Sequence, residues 1–429
     1  MDKLQIAIIG GAVILAVVVV LVFTGAMPGL RMDEGTAANL VMWGFGDEAL
    51  MRDLILKFSE SRPNFEVRYK RVTTENFEND LLNALASGNS PDVIVFPAGY
   101  LKKHKDKLAS APPILFTERE IRQNYVDAGA VFLGDKKEVL GAPFYADAAV
   151  LYWNKDIFSK NLLTLPPKTW DEFLDDAAKL TKKDSSGNIL ISGAALGRGT
   201  NIKNAPLVLT ALFLQSGEKI INNSGEVVLN NPLNVGQTTL RPAESSLRFM
   251  TDFANPRKTA QGWSGALPEA EEFFIAGKLA MYLGRISEYV EITNKNPHLS
   301  FGVSPLPQLA DAPKNITAGE IFALAVPKAS RNQRQSWEFI KFLSEQENSA
   351  AYADKAANVS LRRDILPNYL GESAKSAFAE SVLALQIWPN PDPLRTDAIF
   401  RELIEDAATG RSTTLRDALE KAKSRLGEI

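Results

Sequence analysis

The sequence predicts a two-lobed α/β protein hung from one membrane helix. Three observations carry that expectation. From Leu4 to Phe23 the chain is apolar and uncharged, and about 20 such residues at 1.5 Å each cross a ~30 Å hydrocarbon core. The chain that follows Ala38 opens β-α-β-α-β, which implies a parallel sheet with helices on both faces. The remainder, about 390 residues, exceeds what a single core usually holds, so it should divide into two lobes.

Residues 4–24 are expected to stay as a transmembrane anchor. The apolar core of a cleavable signal is shorter, ~7–15 residues, and Thr24-Gly25-Ala26 is a weak cleavage site. Lys3 and Arg31 flank the span almost symmetrically. The short segment before it favours an inside N-terminus, with the large part on the extracytoplasmic side of a single-pass protein. Residues 25–37 read as a linker, small and polar. At ~3.5 Å per residue it keeps the rest close to the bilayer.

Leu40-Val41-Met42-Trp43 reads as a short strand ending at Gly44. Asp47 can cap a helix whose Leu50, Leu54, Ile55 and Phe58 recur at helical spacing until Pro63. Phe65 to Tyr69 alternates with period two, a strand with one buried face. Phe77, Leu81, Leu82 and Leu85 form a second amphipathic helix, stopped by Gly88. Asp92 to Phe96 is apolar after its first residue and is expected near the sheet centre. In such sheets ligands bind beyond the carboxyl ends of strands, where Trp43 and Phe96 stand.

Composition removes several functions. There is no cysteine, so disulfides, thiolate nucleophiles, Cys-based zinc sites and a lipid-modified cysteine are excluded. The two histidines, His104 and His298, are far apart in sequence. A metal cofactor and a histidine-based triad are not expected. A formal net charge of −3 gives no global basic field for nucleic acid. The lysines between 102 and 107, with His104 among them, read as a solvated helix surface.

Several segments resemble bacterial extracellular solute-binding proteins, the receptors of ABC importers. Ala86-Ser87-Gly88-Asn89-Ser90-Pro91-Asp92-Val93 resembles that family's turn before the third strand. Gly141 to Asp147, followed by Leu151 to Phe158, is similar to its crossover from lobe one to lobe two. Pro167 to Phe173 resembles a family helix start, and Phe274 to Met281 and Trp337 to Leu343 two further motifs. Trp388-Pro389-Asn390-Pro391, Ala408 to Arg411 and Asp417-Ala418-Leu419 resemble the tail of maltodextrin-binding proteins. The resemblance follows family order over nearly the whole soluble chain. It implies a type II periplasmic-binding-protein-like fold. Lobe 1 would be residues 38–147 plus 304–350, and lobe 2 residues 148–303 plus 351–429.

The resemblance also implies a small-molecule solute, most often a carbohydrate, held by hinge closure and delivered to an ABC permease. A monomer without cofactor and without catalysis is expected. An anchored sensory receptor on the same fold is the main alternative. A glycan-active enzyme, using Asp147 and Glu320 as a carboxylate pair, is the more remote one.

The motifs themselves are largely structural. Thr169 should cap a helix with Trp170 in its first turn and Glu172 completing the cap. Gly277 and Gly410 should end helices. A solute site needs aromatic faces and a few fixed polar groups. The candidates are Trp43 and Phe96 at strand ends, Tyr145 and Asp147 at the crossover, and Trp263 between glycines. Arg285, Glu320 and Trp388 complete the set. Where maltodextrin-type relatives carry Gly-Pro-Trp after the segment matching Ala280-Met281-Tyr282-Leu283-Gly284, the chain has Arg285-Ile286-Ser287. The stacking platform is replaced by a guanidinium, which suits a carboxylate, a phosphate or vicinal hydroxyls. The competing role for Arg285 is an ion pair with a nearby carboxylate such as Glu288.

Overall fold

The structure is a computed structural model, and it describes residues 37–222, 224–371 and 373–429. Its strands are β1 (Ala38–Gly44), β2 (Phe65–Arg71), β3 (Val93–Pro97), β4 (Leu108–Ala109), β5 (Ala142–Asn154) and β6 (Lys182–Lys183). They continue with β7 (Ile189–Ala194), β8 (Leu233–Val235), β9 (Thr238–Leu240), β10 (Leu279–Arg285), β11 (Phe301–Pro305) and β12 (Gly319–Pro327). Apart from the β8–β9 hairpin, all belong to one connected sheet ordered β2-β1-β3-β12-β5-β10-β7-β6, with β4 on β12 and β11 on β5.

The opening units follow their patterns. Asp47 caps helix Glu48–Ser61 by accepting from Ala49 N, and that helix buries Met51, Leu54 and Phe58. β2 buries Phe65 and Val67 while Glu66 and Arg68 face solvent. Helix Phe77–Ala86 buries Phe77, Leu81 and Ala84. β3 is buried along its whole length. β1 runs parallel to both β2 and β3. The sheet departs from all-parallel at β12, which is antiparallel to both β3 and β5. Long-range return of the chain places β12 there, and no local pattern encodes its direction.

β5 joins the two lobes. Its first half, Ala142 to Ala148, pairs with β12. Its second half pairs with β10 on one side and β11 on the other. The chain returns through β11 and then β12. The sequence reading expects a further passage after residue 350. That position lies inside helix Gln346–Lys355, which packs on Glu48–Ser61. Beyond it, Asn358 Nδ2 donates to Ala146 O at 3.1 Å and Val126 N to Leu361 O at 3.0 Å. The chain thus stays with lobe 1 until helix Ser373–Leu383, which packs on β11 and β5.

Helix ends obey the local chemistry. Thr169 and Glu172 form a reciprocal capping box at Trp170–Leu180. Gly277 (φ +72°) and Gly410 (φ +71°) take the left-handed conformation that ends a helix cheaply only for glycine. The expectation of a wet lysine-rich surface at 102–107 is corrected at His104. That ring is 6% exposed, and its Nε2 meets Glu78 Oε1 at 2.7 Å. A single helical turn followed by a 3₁₀ turn rotates it inward over Tyr100.

No helix among the described residues is long and apolar enough to cross a membrane. The anchor expected at 4–24 lies outside the described residues.

Candidate functional site

Three of the expected residues, Arg285, Glu320 and Trp388, line one cavity of about 130 Å³. Each arrives from a different part of the fold. Arg285 ends β10 of lobe 2, and Glu320 opens β12. Trp388 lies in the loop before helix Pro393–Thr409. That helix packs against Ala205–Gln215 of lobe 2, whose first turns supply Pro206, Leu207 and Thr210 to the same cavity.

The walls differ in chemistry. Trp388, Phe400, Pro206, Leu207 and Pro393 make an apolar side. The Trp388 and Phe400 rings lie nearly parallel with centroids 6.5 Å apart. Arg285, Glu320, Gln386, Asn390, Thr396 and Asp397 make a polar side. Asp397 is held by Arg401 Nε, which donates to it at 2.6 Å. One guanidinium and two carboxyl groups stand in the lining.

Glu320 is fixed by backbone donors: Gly99 N and Ile321 N each reach Oε1 at 3.1 Å. Burial pushes its carboxyl up to about 7, against the pull of those N–H groups and of the Arg285 charge. The approach of residue 99 requires a glycine. A Cβ there would meet Glu320 Oε2 at 2.8 Å and Pro393 Cγ at 2.9 Å.

Asp147 lies opposite Glu320 in the β5–β12 register, so the two side chains share a sheet face. Ser287 N and Oγ donate to its two oxygens at 2.9 and 2.8 Å. The Arg285 guanidinium stands 4.0 Å from Asp147 Oδ2. Glu288, the expected partner, instead accepts from Asn204, from the Tyr282 hydroxyl and from the Arg285 backbone N–H. The guanidinium therefore has a carboxylate neighbour on β5, at the outer limit of an ion pair.

Tyr145 shares the face of Asp147 but stacks on Phe322, centroids 4.6 Å apart, and does not line the cavity. Three expectations are corrected by burial. Trp43 is 5% exposed and covered by Lys70, whose Nζ sits 4.6 Å from the ring centroid. Phe96 is fully buried against Phe77. Trp263 is fully buried, donates from Nε1 to Asn201 Oδ1 at 3.1 Å and packs on Phe273. Flanking glycines suggested a loop open to the cleft. They instead let the backbone run close to Thr181 and Arg198, which a Cβ at Gly262 or Gly265 would strike.

The sequence reading missed Gln386, Asn390, Thr396, Asp397 and the start of helix Ala205–Gln215. Pro391 and Pro393 beside Trp388 could have marked the first group, since the loop and the following helix cap form one unit. Helix Ala205–Gln215 offers no such mark, being apolar on nearly every side. A larger groove of about 700 Å³ runs along Asp127, Val131, Lys314 and Glu380 and shares Gln386 with the cavity. Its lining holds no aromatic side chain, so it lacks the ring-stacking wall that the smaller cavity has.

Comparison with known proteins supplies the family. The model of the bacterial extracellular solute-binding proteins matches residues 45–350. The sn-glycerol-3-phosphate-binding periplasmic protein of Escherichia coli (strain K12) is 24% identical over 411 residues, covering 88% of each chain. Among solved structures, the sugar-binding protein MalE of Xanthomonas citri superimposes with a TM-score of 0.71 at 20% identity, over 91% of this chain and 97% of that one. An ABC transporter solute-binding protein of Thermotoga lettingae bound with α-D-tagatose gives 0.68 at 20% identity, over 91% and 100%. With a two-lobed α/β frame joined through β5 and β12, and a family model covering most of its length, the chain belongs to the bacterial extracellular solute-binding proteins.

Proposed function

We propose that this protein captures a small, neutral, hydroxyl-rich solute of the sugar class between its lobes. The single observation behind this reading is the two-sided cavity. Trp388, backed by the buried Phe400, offers an apolar face, while Arg285, Glu320, Gln386 and Asn390 offer donors and acceptors opposite. A sugar presents C–H faces to the first and hydroxyls to the second. Arg285, already near Asp147, would donate hydrogen bonds to vicinal hydroxyls rather than seek a counter-charge. The tagatose-bound and sugar-binding proteins that share this fold agree with this class.

Residues on both lobes and on the C-terminal segment would touch the solute together only when the lobes are apposed. Solute then shifts the population toward closure, and the closed form would dock on an ABC permease. Retention of residues 4–24 as an anchor would keep that encounter at the membrane surface. A second reading has its own support. The guanidinium of Arg285 and the glycerol-3-phosphate-binding relative favour a solute with a phosphate or carboxylate.

A thermal-shift screen of residues 37–429 against neutral sugars, sugar acids and sugar phosphates separates the two, with titration calorimetry on any hit. Stabilisation by neutral sugars is expected. Stabilisation by anionic members alone would establish the second reading. No response from any of the three classes would remove both.

A further inference from the structure

Lobe 1 and lobe 2 meet at a point that the cavity lining does not include. Lys103, in the short helix Leu101–His104 of lobe 1, places its Nζ 2.6 Å from Glu78 Oε1 and 3.0 Å from Asp392 Oδ2. Glu78 belongs to the same lobe. Asp392 belongs to the other side, as the N-cap of helix Pro393–Thr409, where its Oδ1 accepts from Arg395 N at 3.1 Å. All three side chains are largely shielded, at 31%, 16% and 12% exposure for Lys103, Glu78 and Asp392. The contact is reinforced next to it, where Gly99 of the turn after β3 abuts Pro393.

Asp392 is also tied to the cavity. Its backbone N–H donates to Asn390 Oδ1 at 3.1 Å, and the Thr396 hydroxyl donates to the same oxygen at 2.7 Å. Asn390, Pro393 and Thr396 are cavity residues. Whatever holds Asp392 therefore holds that wall in place.

We propose that Lys103 and Asp392 are an inter-lobe positioning pair, which draws the lobes together and sets the 390–396 wall through contacts that no solute makes. Glu78 presents the ammonium: it fixes Lys103 on the lobe 1 side and leaves its remaining donors to Asp392. The pair adds to the closed form alone, because its inter-lobe leg is broken once helix Pro393–Thr409 moves away from the turn after β3. Its effect is a standing bias of the closure equilibrium, which a solute then completes. This inference goes beyond the choice of solute and is tested without one.

The full chain lacks cysteine, so cysteines introduced at Leu82 of lobe 1 and Leu190 of lobe 2, 36% and 54% exposed, accept spin labels uniquely. Electron double resonance then reads the inter-lobe distance in the parent, in Lys103→Met and in Asp392→Asn. Asparagine retains the helix cap, so Asp392→Asn removes the inter-lobe charge while sparing the fold. Both variants should shrink the shorter-distance population, the closed-to-open ratio falling about two- to fivefold. The parent should approach them as salt is raised to about 0.5 M, because the pair is partly exposed. Distance distributions of both variants superimposable on the parent would overturn the proposal. So would a change in Lys103→Met alone, which would confine the role of Lys103 to its own lobe with Glu78. Either result leaves the solute screen unaffected.

Discussion

Trp263 and Trp388 are both loop tryptophans beside small or kinked residues, and they end in opposite environments. Trp263 is fully enclosed, its Nε1 satisfied by Asn201 and its ring edge-on to Phe273. Trp388 is half-buried, parallel to Phe400, with its other surroundings open to the inter-lobe cavity. An indole in a glycine-rich loop is drawn inward when the backbone can approach neighbouring chain closely, and the glycines permit that approach. An indole in a proline-rich loop is held at a fixed distance from the helix that follows, and stays at the surface it lines. The same residue type thus supports the fold in one loop and can offer a ring face to a solute in the other.

Truncating each tryptophan should reverse the two readouts. Trp263→Ala is expected to cost about 3–5 kcal/mol of stability, from a large cavity and an orphaned Asn201. Any residual folded protein should bind solute with near-parental affinity. Trp388→Ala should cost far less stability and lower solute affinity up to roughly tenfold, the worth of a lost stacking face. Denaturant titration and calorimetry on both variants check this. Equal losses of stability would abolish the distinction between the two loops.

A second comparison sets the two carboxylates Asp147 and Glu320 side by side on β5 and β12. Asp147 faces hydroxyl and backbone donors from Ser287 at the exposed edge. Glu320 faces the inter-lobe cavity, and burial raises its carboxyl from the ordinary 4.5 to about 7. The folded protein then keeps a proton that the unfolded chain has released. Stability from this group is fully present below about pH 4.5 and is lost as pH rises through about 7, by at most about 3 kcal/mol. Glu320→Gln keeps an oxygen for Gly99 N and Ile321 N but cannot ionise. It should flatten the fall of stability between pH 5 and 7.5, and so stabilise the protein at the upper end. A parental and a variant profile of the same slope would contradict the assignment.

The legible parts of this molecule are those whose cause is local. The capping box at Thr169 and Glu172, the glycine stops at 277 and 410, and the alternation of β2 each depend on a few consecutive residues, and each reads directly from sequence. The crossover at Gly141 to Phe158 was legible only through family resemblance, and it became the 13-residue strand β5. The direction of β12, the late passage at helix Ser373–Leu383 and the burial of His104 depend on partners far along the chain. Trp43 and Phe96 do stand at strand ends, as expected. Yet Lys70 and Phe77, from the next strand and helix, cover them before any ligand could. Arg285, Glu320 and Trp388 come from three distant segments, and nothing in their separate neighbourhoods indicates that they meet.

The last comparison is between two roles for Arg285. Arg285 projects from the end of β10 toward the cavity and stands 4.0 Å from Asp147. As a solute contact, its charge-assisted hydrogen bonds are worth about 1.5–3 kcal/mol, or roughly ten- to hundred-fold in affinity. Arg285→Ala should show that loss, and Arg285→Lys should show part of it, because a compact ammonium cannot span two hydroxyls as the planar fork does. As an internal ion pair at this distance and exposure, the contact is worth about 1 kcal/mol or less. Arg285→Ala would then lower the melting temperature of the solute-free protein and leave affinity nearly unchanged. Ser287 already gives Asp147 two short hydrogen bonds, so the carboxylate does not depend on the guanidinium. The loss should therefore fall on affinity, and calorimetric titration beside solute-free melting of the same variant decides between the two roles.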